Sequence, residues 1–81
     1  YLMQQRFAEY DYAKLGLSKE ISNYVFVVNG KSGYALDGAM VYYVDVHEKN
    51  GDNTGVRLGF SAEGNDYIYN SELSLYQEIE E

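Results

Sequence analysis

Asp45 and His47 stand two residues apart, a spacing that sets both side chains on one face of an extended strand, where the carboxylate can orient the imidazole. A nucleophile for this pair would have to be Ser61 or a tyrosine. Neither stands in an elbow-like or glycine-flanked motif, and a solvent-facing sheet offers no pocket that excludes water. With Arg57 and Lys49 expected as neighbours, the pair reads as solvated surface charge. We therefore expect no catalytic residue and no enzyme.

Metal and cofactor chemistry is equally poorly supplied. His47 is the single histidine and cysteine is absent, so the three or four close ligands of a zinc site cannot be assembled. The loop Asn50-Gly51-Asp52-Asn53-Thr54-Gly55 is rich in oxygen, but it has one carboxylate and lacks the bidentate glutamate that an EF-type calcium loop requires. Gly30-Lys31-Ser32 resembles the end of a phosphate loop, yet Val25 stands where that loop needs its first glycine, and no helix is expected to follow. No metal and no cofactor are expected.

Two short recognition patterns are weighed and set aside. Ala13 to Ser22, with its Leu-Gly-Leu-Ser, resembles a helix-turn-helix, but the apolar spacing after Gly16 is off by one and a basic surface is missing. Tyr76-Gln77-Glu78-Ile79 is similar to a short phosphotyrosine ligand, a four-residue match that an exposed tyrosine on an acidic tail explains as well.

Charge is the first global signal. Thirteen acids against six bases give −7, and the excess is uneven. Residues 1–57 hold seven acids and all six bases; residues 58–81 hold Glu63, Asp66, Glu72, Glu78, Glu80 and Glu81 with no base. Such a segment repels phosphate backbones and anionic lipid and attracts a basic protein surface. It also serves plain solubility. The longest apolar run, Ala39 to Val44, is far short of the roughly 20 residues of a membrane span, and no signal-peptide pattern opens the chain. With no cysteine, these features suit a soluble, cytoplasmic protein without a disulfide framework.

The elements that must position these residues follow from periodicity. An 81-residue chain buries only about 60% of its unfolded surface, which allows one small core. No proline, linker or repeat divides the chain, so residues 1–81 read as a single small α+β domain; a tyrosine start suits a piece of a longer chain. From Leu2 to Leu15 the apolar residues Met3, Phe7 and Tyr10, with Leu17 beyond, step at helical intervals, and Gly16 and Lys14 fit a helix end. Tyr24 to Val28 is apolar throughout, as in a central strand covered on both faces. Asn29-Gly30 and Asp37-Gly38 are hairpin dipeptides, leaving a short strand at Ser32 to Leu36 between them.

Met40, Tyr42, Val44 and Val46 share one face of the next strand, and Val56, Leu58, Phe60 and Ala62 one face of its partner, with Arg57, Gly59, Ser61 and Glu63 turned away. Bringing both apolar sets to one side requires an even sum of opposed residue numbers, and a sum near 104 sets Val46 against Leu58 and His47 against Arg57. Glu63 to Asp66 reads as a turn and Tyr67 to Asn70 as a strand. Leu73, Leu75 and Ile79 fit a last strand, with a short helix capped by Ser71 as the alternative. The expected architecture is α+β, an N-terminal helix packed on a four- to five-stranded antiparallel sheet.

Tyrosine is the compositional outlier, with ten copies, more than so small a core can hide. Tyr34, Tyr43, Tyr67, Tyr69 and Tyr76 are expected at the surface, where tyrosine combines contact area with little rotamer loss; a half-buried role in strands is the structural alternative. Lacking catalytic or cofactor motifs, the chain is expected to act as an acidic protein-binding module. Its partner-binding residues would be Tyr67, Tyr69 and Tyr76 with Glu63, Asp66, Glu72 and Glu78, facing a protein with a basic surface. The alternative is a DNA mimic, an anti-restriction or anti-CRISPR type of inhibitor from a phage or mobile element. A structural domain that self-associates as a homo-oligomer is the third reading.

Overall fold

Chain reversals at glycine-bearing turns fold the valine- and tyrosine-rich part of the sequence into one antiparallel meander. The computed structural model describes residues 6–79. Its strands are β1 (Tyr24–Tyr34), β2 (Met40–Glu48), β3 (Asn53–Ser61), β4 (Asp66–Asn70) and β5 (Leu75–Glu78), hydrogen-bonded in sequence order. At the Asp37-Gly38 turn the Asp37 carboxylate accepts from the Ala39 N–H at 3.0 Å. The sheet curls enough for the Leu36 N–H just beyond β1 to donate to the Tyr76 carbonyl at 2.8 Å, a parallel bridge between its two ends.

The N-terminal helix packed on the sheet is not found, and residues 1–5 of the expected span lie outside the described residues. Arg6 and Phe7 have helical backbone, but a turn follows, and Asp11 is extended (ψ 128°). The Asp11 carboxylate accepts from the Ala13 N–H at 3.1 Å and so starts a separate 3-10 turn, Tyr12–Leu15. That local capping competes with a continuous helix. Gly16 ends the turn in the left-handed conformation (φ 76°), as its position beside Lys14 suggested. A second 3-10 turn, Ile21–Asn23, leads into β1.

This irregular stretch covers one face of the sheet. Phe7, Leu15, Leu17 and Ile21 pack with Tyr24, Phe26, Val44, Val46, Leu58 and Ile79 in the main core. Burying each large apolar side chain stabilises the fold by about 1.5–3 kcal/mol. The even face assignment of β2 and β3 is realised, but the register sum is 102: Val44 opposes Leu58 and Asp45 opposes Arg57, while His47 opposes Asn53. Across Thr54 to Val56 the ladder is irregular, and the sum passes from 100 at the loop end to 102 over the rest of the pair. Thr54 Oγ1 donates to the Val46 carbonyl at 2.8 Å, replacing a rung of the ladder.

Asn29-Gly30 does not reverse the chain. Both dipeptide positions sit inside β1, which continues to Tyr34 past a register shift between Val28 and Ser32. A bulge accepts the same left-handed glycine as a hairpin turn, and Gly30 (φ 79°) supplies it. Asn29 fixes the bulge by accepting from the Lys31 N–H at 3.0 Å and donating to Asp45 at 2.9 Å. Nor is β1 central: among the described residues β2 is its sole strand neighbour over this run, and Val25, Val27 and Val28 are 43%, 41% and 44% exposed. Valines suit a strand whichever face they occupy, which masks the alternation. The chain end resolves to strand β5, with Ser71 in a turn that precedes it rather than capping a helix.

Candidate functional site

The sheet face turned away from the N-terminal stretch carries the polar and aromatic residues of the odd-numbered positions in β2 and β3. A second, smaller cluster is buried there: Ala35, Val41, Tyr67 and Tyr76, with Tyr43 and Tyr69 packed against it. Gly59 makes room for it. A Cβ at that position would collide with the Val41 side chain and meet Tyr76 Cε1 at 3.2 Å. The bare backbone thus seats the Tyr76 ring, which stacks on Tyr43 with centroids 5.4 Å apart and meets Tyr69 edge-on at 5.0 Å.

Arg57 completes the arrangement. Its guanidinium carbon lies 4.7 Å from the Tyr43 centroid and 6.0 Å from that of Tyr69, and Nε donates to Asp45 Oδ1 at 3.2 Å. Asp45 Oδ2 accepts from Asn29. The carboxylate is therefore committed to Arg57 and Asn29, not to orienting His47. An open groove of about 330 Å³ runs beside Arg57, Tyr69 and Ser71. Among the described residues no three His, Asp or Glu side chains are grouped to hold a metal ion, and no helix is long and apolar enough to cross a membrane.

The expected partner-binding tyrosines divide. Tyr69 is half-buried at the rim of this face, but Tyr67 is 0% and Tyr76 1% exposed, so neither is a surface anchor. Their rings fill the space under the Ala35 to Ala39 turn because the sheet curls and Gly59 leaves a gap, neither of which alternation reveals. The Tyr76 hydroxyl is buried without a hydrogen-bond partner among the described residues. Burial, then the neighbouring Tyr43, pushes its pKa well above the ordinary tyrosine range, and Arg57 opposes the shift.

The carboxylates are also separated. Glu63 is exposed in the β3–β4 turn, Glu72 in the β4–β5 turn and Glu78 on β5, while Asp66 is engaged by Arg6 and by the Tyr10 hydroxyl, which donates to Oδ2 at 2.8 Å. Asp66 thereby pins the N-terminal stretch to β4, on the other side of the sheet from Arg57. Ser61, expected to face solvent, is 2% exposed, its Oγ accepting from the Asn65 N–H at 3.3 Å. Sequence reasoning missed Arg57 as the centre of the face. The signal available was the register of β2 and β3, which at a sum of 102 sets it opposite Asp45.

Compared with protein-family models, with curated proteins and with solved structures, the chain gives no match.

Proposed function

We propose that the chain is a non-enzymatic protein-binding module of the cytoplasm whose contact surface is the Arg57 face of the sheet. The observation that supports this is the placing of Arg57 against Tyr43 and Tyr69 on an open face. Arginine and tyrosine are the residue types that dominate binding energy at protein interfaces, and an arginine already held against aromatic rings loses little freedom on binding. Tyr69 and Tyr43 take the anchoring role. The exposed Glu72 and Glu78 attract a partner with a basic surface and speed its approach.

Affinity capture with wild-type protein and with a folded Tyr69→Ala variant as baits, followed by surface plasmon resonance on the partner recovered, tests this. Tyr69→Ala or Arg57→Ala should weaken binding by about 2 kcal/mol, while Glu72→Gln with Glu78→Gln should mainly slow association and reduce its salt dependence. Normal binding by the Tyr69 and Arg57 variants, together with strong competition by duplex DNA, would replace this module by a DNA mimic.

A further inference from the structure

We infer that Asn50, in the turn between β2 and β3, is a site of self-modification at which the chain converts asparagine to isoaspartate and aspartate, while β1 holds the chemically equivalent Asn29-Gly30 pair unreacted. Both asparagines precede a glycine, whose missing side chain lets its backbone nitrogen approach the neighbouring amide carbon. At Asn50 the Gly51 nitrogen gives its proton to solvent base and bonds to Cγ, and the Cγ–Nδ2 bond breaks to release ammonia. Water then opens the cyclic imide: cleavage at the main-chain carbonyl leaves isoaspartate, and cleavage at Cγ leaves aspartate. One water is consumed for each ammonia lost, and no oxidant or cofactor is required.

The activating contact is common to both pairs. Asn50 Oδ1 accepts from the Asp52 N–H at 3.0 Å, and Asn29 Oδ1 accepts from the Lys31 N–H at 3.0 Å. Each donor polarises the amide and stabilises the oxyanion that attack creates. What separates the pairs is access to the attack geometry. Asn29 is half-buried inside β1, with rungs to β2 on both sides at Val28 and Ser32, and its Nδ2 donates at 2.9 Å to Asp45, a carboxylate that Arg57 also holds. Turning its Cγ toward the Gly30 nitrogen disrupts the sheet. Residues 49–53 are all exposed, so the Asn50 Nδ2 contact with Asp52 at 3.2 Å and the Gly51 N–H bond to the Glu48 carbonyl at 2.8 Å yield to an opening of the turn alone. The product discriminates in the same direction. Isoaspartate adds a methylene to the main chain, which a turn absorbs and a paired strand does not. Conversion also sets a new carboxylate against Asp52 and adds one negative charge to the chain's −7.

Incubating the full folded chain in mildly alkaline buffer, with peptide mass spectrometry at intervals, tests the proposal without any partner. The Asn50 peptide should convert about tenfold faster than the Asn29 peptide or more, because only the latter must wait for the sheet to open. Its isoaspartate should accept a labelled methyl group from an isoaspartyl methyltransferase. In concentrated urea, where neither pair is held, the two rates should come together. Equal rates in the folded chain, a gap that persists in urea, or no conversion at Asn50 in the folded chain would each overturn the assignment.

Discussion

Arg57 lies diagonally across the sheet from Tyr43, whose direct partner is Gly59, and rests its guanidinium over the Tyr43 ring. The guanidinium thus gains two contacts at once, the ring at 4.7 Å and the Asp45 carboxylate at 3.2 Å. Arg57→Ala should cost about 1 kcal/mol of stability, since the pair is partly exposed and screened while the ring contact persists in salt. Urea unfolding followed by tyrosine fluorescence, repeated in high salt, measures this. A loss that salt abolishes would assign the effect to the ion pair alone.

Tyr76→Phe should leave the protein as stable as wild type or more stable by about 1 kcal/mol. It removes a buried hydroxyl that has no hydrogen-bond partner among the described residues and keeps the ring that stacks on Tyr43. Tyr76→Ala should instead cost about 3 kcal/mol or more by emptying the smaller cluster. Comparing the two unfolding midpoints checks the assignment.

The same hydroxyl makes stability depend on alkaline pH. Its folded pKa is raised above the unfolded value of about 10, so the neutral form is favoured by folding. That stability is fully present below about pH 10 and is lost as pH rises toward the folded value. Tyr76→Phe should therefore retain more of its stability above pH 10 than wild type. Parallel alkaline unfolding curves for the two proteins would contradict this.

Asp66→Asn should release the N-terminal stretch by breaking the contact with Arg6 and weakening the bond from Tyr10, at a cost of about 1–3 kcal/mol. Hydrogen exchange should rise around the Tyr12–Leu15 turn before it rises in β2 or β3. A uniform increase along the chain would mean that the stretch is not separately anchored.

Val44→Asp and Ser61→Asp should both unfold the protein. Val44 is fully buried in the main core, and Ser61 is buried on the opposite face, where a carboxylate would displace the Ser61 contact with Asn65 and lose its hydration. Circular dichroism of each variant decides the point. A folded Ser61→Asp protein would place Ser61 at the surface.

How much of this was legible depends on whether the governing interaction is local. Alternation along Met40 to Val46 and Val56 to Phe60 gave the correct faces, because side-chain direction in a strand repeats every two residues whatever lies above it. It could not separate a register sum of 104 from 102, since both put the same residues on the same side and the choice rests on the pairing of the whole strands. The hairpin dipeptide Asp37-Gly38 was correctly read for the same local reason, whereas Asn29-Gly30 became a bulge because both structures demand the same left-handed glycine.

The sequence by itself determined the period of the strands, the acidic end, and the lack of cysteine and of a second histidine; these are properties of residues and near neighbours. Only the tertiary structure decided that β1 comes first in the order of the described strands, that Tyr67 and Tyr76 are buried while Tyr34 is not, that Asp66 holds the N-terminal stretch, and that Arg57 rests against Tyr43. Each of these depends on which distant strand or turn comes to lie across the sheet. A tyrosine has the same local preference for a strand whether its ring is covered or open, and sheet curl together with the gap at Gly59 determines which rings are covered.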